Sequence, residues 1–303
     1  MNTIDLKYQI ERLYYIALYS QTKTYKEHPV RVVQSVKSII GINPENPNGK
    51  LLSFCEEYLK EISKLKKYKI PDDESLPEVV TFSDLELSLK KKDFDGASKN
   101  VLYLLKVSDS KHILEFFVEF SLKYDMQSFY CIWSVYKMML FLKGKDVLQN
   151  ILFCIDLIIR DGESVYLENK SNHNYDLSTY KYDKDLIESI YKYDKDLIES
   201  IWIYYSVVNE TLVREENISK YIYNNSAKHF DNSNRLSTMN VLDEQKLLGR
   251  KWISNYLQNI DYKLLDVKIV LILEACRASL KASSGIYDNI IWDRLNRYLN
   301  EYR

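Results

Sequence analysis

The chain has 303 residues, of which 46% are hydrophobic and 28% are charged. This composition excludes a chain that is disordered throughout, and the length allows one large folded domain or two smaller ones. The formal net charge is −1, with 42 lysines and arginines against 43 aspartates and glutamates, so the chain lacks the basic excess typical of general nucleic-acid or membrane-surface binding.

Apolar residues recur at helical spacing along most of the chain, and only seven glycines and five prolines are present. This shortage of turn residues favours long helices over an all-β fold. We therefore expect an all-α fold in which antiparallel helical hairpins stack as a bundle or an irregular solenoid-like array. Helices are predicted at residues 4–20, 29–40, 50–66, 82–92, 94–106, 109–124, 126–143, 146–160, 180–208, 241–258, 264–282 and 286–301.

Two prolines and an acidic cluster within residues 66–78 indicate a linker. Polar, irregular stretches at residues 163–181 and 224–238 are predicted to be loops. The predicted organisation is an N-terminal three-helix unit (1–66), a linker (67–80), a central helical-hairpin region (81–162), a polar loop (163–182) and a C-terminal helical region (183–303).

A tandem duplication lies at the start of the C-terminal region. The segment YKYDKDLIESI occurs at residues 180–190 and again, with every residue identical, at 191–201. An 11-residue period is 3.67 residues per helical turn, so the second copy lies only about 20° further round the same helix. We expect one helix to contain both copies and to tolerate the loss of 11 residues but not of 9.

Other sequence features favour a cytoplasmic protein. The beginning of the chain has no basic segment followed by an apolar one, so no signal peptide is predicted. The most apolar stretch, residues 129–142, is shorter than the roughly 20 residues of a membrane span and is better explained as a buried helix. The four cysteines are widely separated and form no CxxC pair, which predicts buried, reduced thiols.

Candidate catalytic residues are few, and only His28 and His112 are considered. Asp109, His112, Glu115 and Glu119 form the one carboxylate–histidine cluster at helical spacing. A dinuclear carboxylate site needs two Glu-x-x-His motifs, and no second motif exists here. We therefore predict no metal and no cofactor, and interpret the cluster as a capped helix start with a solvated polar face.

Three charged groups of residues were also considered. Glu274, Arg277 and Lys281 have the spacing of an ion-pair ladder within one helix. Two short lysine runs lie beside acidic residues and are interpreted as solvated helix ends, so nucleic acid is an unlikely partner. These runs are Lys64, Lys66, Lys67 and Lys69, and Lys90, Lys91 and Lys92.

The leading hypothesis for function is a non-catalytic protein-interaction or scaffold module, because helical-hairpin stacks offer grooves for protein partners and no catalytic motif is present. One alternative is an enzyme, since residues 82–106 (FSDLELSLKKKDFDGASKNVLYLLK) and the helices that follow resemble the helical oxidoreductases of the questin oxidase type. That resemblance implies several pocket histidines, for which only His28 and His112 are available, so a buried polar cavity beside either would favour it. A nucleic-acid accessory factor, based on the lysine runs, is the other alternative.

Overall fold

The computed structural model describes residues 3–20, 22, 24–62, 67–72, 79–161, 198–227, 240–285 and 287–302. These residues form fourteen α-helices and one 3₁₀ helix and contain no β-strand, which confirms the predicted all-α class. The helices are α1 (Thr3–Leu18), α2 (Pro29–Ile40), α3 (Gly49–Lys60), α4 (Phe82–Lys90), α5 (Phe94–Val107), α6 (Ser110–Lys123), α7 (Phe129–Leu142), α8 (Val147–Asp161), α9 (Ile198–Val208), α10 (Glu215–Ala227), α11 (Asp243–Leu248), α12 (Lys251–Asn259), the 3₁₀ helix (Tyr262–Leu264), α13 (Val267–Ser283) and α14 (Asp288–Tyr302).

Several helices begin after a side chain that accepts a hydrogen bond from the first turn. The Nδ1 atom of His28 accepts from the Val30 N–H at 3.2 Å, and Pro29 occupies the first position of α2. Asp109 caps α6 in the same way by accepting from the Lys111 N–H at 2.6 Å. These bonds satisfy N–H groups that have no partner inside the helix. The predicted starts at Pro29 and beside Asp109 are confirmed.

The helix ends agree less closely with the prediction. α7 ends at Leu142, beside the predicted end at residue 143, and Lys143 and Gly144 then adopt positive φ angles of 53° and 78°. α3, by contrast, ends at Lys60 and not near residue 66. The single helix predicted at 241–258 is wrong, because Gly249 at φ 51° separates α11 from α12.

Helix α10 was not predicted. Its sequence, EENISKYIYNNSA, is mostly polar, and the two isoleucines Ile218 and Ile222 are its fully buried apolar residues. Two buried positions one turn apart give a weak periodic signal, so the asparagine-rich end was interpreted as part of a loop. The predicted loop at 163–182 and residues 180–197 of the duplication lie outside the described residues, whereas residues 198–201 begin α9.

The core is arranged around α2, which packs against α1, α3, α7, α12 and α13. Further contacts join α9 to α13, α6 to α10 and α5 to α8, and the buried apolar side chains form one continuous cluster. α2 therefore connects the first 66 residues directly to the central region (81–162) and to the C-terminal region (183–303). The proposed division into units, and the arrangement as a bundle or a solenoid, stay predictions.

The apolar stretch at residues 129–142 forms α7 and is buried as predicted, with Cys131, Ile132 and Val135 fully inaccessible to solvent. Within the part of the chain that the structure describes, no helix has both the length and the apolar character that crossing a bilayer requires.

Candidate binding cavity

A cavity of about 490 Å³ lies among α2, α7, α9 and α13. It opens to solvent, and its walls carry both charged and aromatic side chains. The polar and aromatic lining residues are Arg31, Gln34 and Ser35 from α2, Tyr130, Trp133, Ser134 and Lys137 from α7, Ser206, Asn209, Glu210 and Thr211 from α9 and the residues after it, and Glu274, Arg277, Lys281 and Ser284 from α13 and the residue that follows it.

The cavity is left open because one face of α13 carries small side chains. Ala275, Ala278 and Ala282 all line the cavity, and their spacing of three and four residues places them on one face of the helix. Since alanine contributes only a methyl group, this face leaves room where larger side chains would fill the gap between the helices. Ala278 and Ala282 remain partly accessible to solvent.

Three ion pairs surround the cavity. Lys137 pairs with Glu210 at 2.6 Å, and Arg277 pairs with Glu274 through Nε at 2.5 Å and Nη2 at 2.9 Å. A third pair links Arg31 on α2 to Glu199 on α9. Because the Arg31 side chain is only 5% exposed and that of Glu274 only 9%, these pairs are largely shielded from solvent screening.

An aromatic surface forms the α7 side of the cavity. The Trp133 ring stacks on Tyr136 with centroids 5.1 Å apart, and the Lys137 ammonium lies 5.5 Å from the Trp133 centroid. The Arg31 guanidinium lies 5.0 Å from the centre of the Tyr130 ring. These cation–π contacts hold positive charges beside flat apolar faces.

Positive charge exceeds negative charge around the cavity. Lys281 is exposed at its edge and has no carboxylate partner among the described residues. Lys37, beside the cavity on α2, lies over the Phe141 ring. Burial lowers the pKa of Lys37 to about 8; Glu274 and Glu210 oppose this shift, while Lys137 and Arg277 add to it.

His28, the first candidate catalytic residue, is buried and has a structural role at the start of α2. Its side chain is 4% exposed, caps α2 and lies 5.3 Å, centroid to centroid, from the Phe153 ring. Burial lowers the pKa of His28 from 6.5 to about 3, and Arg160 and Arg31 act in the same direction, against a hydrogen bond with the Ser20 backbone. His28 is therefore neutral at pH 7 and does not line the cavity.

We expect His28 to make the protein sensitive to acid. Below pH 6.5 the unfolded chain binds a proton at this histidine, whereas the folded chain does so only near pH 3, so stability is lost as the pH falls through this window. His28→Asn retains a cap acceptor without this titration. Between pH 6.5 and 5 the wild-type protein should lose roughly 1.5 kcal/mol more unfolding free energy than the variant. Urea unfolding across this range measures the difference, and identical pH dependences would contradict the assignment.

The second candidate, His112, lies beside Phe82 at a centroid distance of 5.0 Å and 3.5 Å from the Ser108 hydroxyl. It does not line the cavity and shares no contact with His28. The capped start of α6 is confirmed, but the expectation of a solvated polar face is wrong. Glu115 is fully buried, and Glu119 pairs with Arg214.

Glu115 holds the segment between α9 and α10 against α6. Its Oε2 atom accepts hydrogen bonds from the backbone N–H groups of Val213 at 2.7 Å and Arg214 at 3.0 Å. The Tyr136 hydroxyl donates to Oε1 at 3.3 Å. A carboxylate that receives two N–H donors serves as a cap for the chain at this position. The same segment supplies Glu210 to the cavity.

The lysines at the end of α4 lie apart from the cavity. Lys90 pairs with Glu86 at 2.9 Å, whereas Lys91 and Lys92 are exposed at the end of α4. All four cysteines are buried free thiols, as predicted. The predicted ladder on α13 is confirmed for Glu274 and Arg277, without Lys281. Lys64 and Lys66 lie outside the described residues.

No group of three or more potential metal ligands comes together in the described ranges. Comparisons of the chain with protein-family models, with curated proteins and with solved structures find no match.

Residue spacing in the sequence indicates the α13 wall of the cavity but not the walls formed by the other three helices. The spacing of Glu274, Arg277 and Lys281 predicts an ion-pair ladder, with a functional charge cluster as the alternative. The spacing of Ala275, Ala278 and Ala282 is visible in the sequence and could have predicted a helix face with small side chains. No local pattern connects this face to Lys137 or Arg31, because these residues are more than a hundred positions away.

Proposed function

We propose that this chain is a non-catalytic interaction module that binds a partner protein at the cavity among α2, α7, α9 and α13. The observation that carries the proposal is an open cavity of about 490 Å³ whose charged side chains are held in place by ion pairs between or within helices. The cavity volume falls within the range of about 300–1,000 Å³ that is typical of binding pockets. Packed helices provide rigid walls for such a site.

We place this activity in the cytoplasm. The four cysteines, which are free and buried, support this part of the proposal, because reduced thiols are usual in cytosolic proteins. Burial raises the pKa of the Cys55 and Cys131 thiols to about 12, which keeps them protonated and unreactive.

Filling the cavity tests the proposal. Ala278→Trp adds a large side chain to the cavity wall without changing any charge, whereas Leu247→Trp adds the same side chain at a position that is 84% exposed and outside the cavity. We expect the wild-type protein and Leu247→Trp to capture the same partner from lysate of the source cells, and Ala278→Trp to lose it by at least about tenfold.

Capture is measured by quantitative mass spectrometry, and thermal melting confirms that both variants are folded. Equal capture by Ala278→Trp and the wild-type protein would place the binding surface elsewhere. If the wild-type protein captures no partner in stoichiometric amount, the interaction-module proposal fails.

A further inference from the structure

The charges of the cavity walls indicate which chemical group the partner protein presents to the cavity. The charged residues in and beside the cavity are five cations and three carboxylates, which gives an excess of two positive charges. The cations are Arg31, Lys37, Lys137, Arg277 and Lys281, and the carboxylates are Glu199, Glu210 and Glu274.

Donors remain available after the ion pairs have formed. Arg277 uses Nε and Nη2 for Glu274, which leaves the two N–H groups of Nη1. Lys137 donates to Glu210 through one of its three N–H groups. Lys281 lies one helical turn beyond Arg277 on the same face of α13 and has no carboxylate partner among the described residues. Two cavity-lining helices therefore direct unused positive donors into one space.

The positive charges also act on one another. Lys137 and Arg277 both lower the pKa of Lys37, in the same direction as its burial. Burial is the largest cause of the lowered pKa, and Glu274, which opposes it, is the largest of the charge effects. An anion in the cavity would add to the effect of the two carboxylates and favour the charged forms of these cations.

The size of the charge excess favours phosphate over carboxylate. A phosphate monoester carries a charge of about −1.5 to −2 at pH 7 and three acceptor oxygens, whereas a carboxylate carries one negative charge. Lysine ammonium groups and an arginine guanidinium are the side chains that proteins use to bind phosphate. The Trp133 ring beside Lys137 provides an apolar surface for the group that bears the phosphate.

We propose that the cavity recognises a phosphate monoester on a side chain of the partner protein, with Lys281, Arg277 and Lys137 as the residues that bind it. This inference rests on the proposed function, because it names the chemical group through which the partner is held. The carboxylates Glu274 and Glu210 orient the arginine and the lysine, and the phosphate binds to their unused donors and to Lys281.

Isothermal titration with small probes tests the inference on the full chain. The probes are N-acetyl-phosphotyrosine amide, N-acetyl-phosphoserine amide, inorganic phosphate and the unphosphorylated N-acetyl-tyrosine amide. We expect the phosphorylated amino acids to bind and the unphosphorylated one not to bind. Tighter binding of inorganic phosphate than of either phosphorylated amino acid would overturn the assignment to a protein side chain and indicate a free phosphate ligand.

Charge reversal at two positions of α13 provides a matched control. Lys281→Glu and Lys268→Glu change the net charge by the same amount, and both lysines are exposed, but only Lys281 lines the cavity. We expect Lys281→Glu to weaken binding of the phosphorylated probes by at least about tenfold, and Lys268→Glu to change it by less than about twofold. If both variants weaken binding of the phosphorylated probes equally, the cause is the net charge of the protein, and the proposed phosphate site is wrong.

Two further outcomes separate this inference from the proposed function. If no phosphorylated probe binds the wild-type protein, but Ala278→Trp still loses the captured partner, the phosphate assignment fails and the interaction module stands. If an oligonucleotide without terminal phosphate binds more tightly than the phosphorylated amino acids, the partner is nucleic acid and both proposals fail.

Discussion

Deleting residues 191–201 is expected to leave a cooperatively folded protein, whereas deleting residues 193–201 is expected to abolish cooperative folding. The two copies of the duplication are identical, so the 11-residue deletion brings residues 187–190 into the places of residues 198–201. Every side chain of α9 is then retained, including the glutamate that pairs with Arg31. In the helix that the sequence predicts for both copies, the phase of the upstream residues changes by only about 20°.

The 9-residue deletion places different side chains in the same buried positions. Ser189 replaces Ile198 and Lys192 replaces Ile201, although these isoleucines are only 4% and 2% exposed. Ile190 takes the place of Glu199, which leaves the buried Arg31 side chain without its carboxylate. Losing a buried isoleucine costs about 2–5 kcal/mol, and leaving a buried charge unpaired costs about 3–5 kcal/mol. Together these losses are comparable with the whole stability of a typical domain, about 5–15 kcal/mol.

Thermal melts followed by circular dichroism distinguish the two deletions. The shorter deletion removes fewer residues, so loss of chain length alone predicts the opposite order of stability. Equal and large losses in both variants would show that the removed copy contributes contacts of its own, and that retaining the α9 side chains is not sufficient.

Replacing Glu115 with leucine should lower the free energy of unfolding by about 2–4 kcal/mol. Leucine has nearly the same size, but it leaves the N–H groups of Val213 and Arg214 and the hydroxyl of Tyr136 without their acceptor. A buried donor without a partner costs about 1–3 kcal/mol, and of these three hydrogen bonds that of Tyr136 is buried while the other two are partly buried. Urea unfolding at pH 7 measures the loss.

Glu115→Gln is the matched control. Glutamine has the same shape and keeps a carbonyl oxygen that accepts from both N–H groups, while its amide donates to the tyrosine oxygen. We expect it to lose at most about half as much stability as the leucine variant. If both variants lose the same amount, the negative charge is responsible and not the hydrogen-bond geometry. A loss below about 1 kcal/mol in Glu115→Leu would contradict the role of Glu115 as an anchor.

The sequence predicted those features of the fold that depend on neighbouring residues. The helix start at Pro29, the capped start of α6 beside Asp109 and the helix end near residue 143 could be predicted, because each depends on atoms within a few positions of one another. Helix α10 was missed because its stability depends on packing Ile218 and Ile222 against other helices, and its own sequence is mostly polar.

The surroundings of Glu115 could not be predicted for the same reason. Helical spacing correctly grouped Asp109, His112, Glu115 and Glu119 near one face of α6. Whether that face meets water or another part of the chain depends on residues about a hundred positions later, which cover Glu115 with their backbone. The cavity is also a product of distant segments, so its four walls could not be assembled from local patterns.

The central position of α2 has a consequence for how the protein is made. This helix is synthesised before its last packing partner, α13, which ends at Ser283. At about 5–20 residues per second, α2 leaves the ribosome on the order of ten seconds or more before α13 is complete. During this time the side of α2 that packs against α13 in the folded protein lacks its final partner, so this part of the core is completed only after residue 283 has been synthesised.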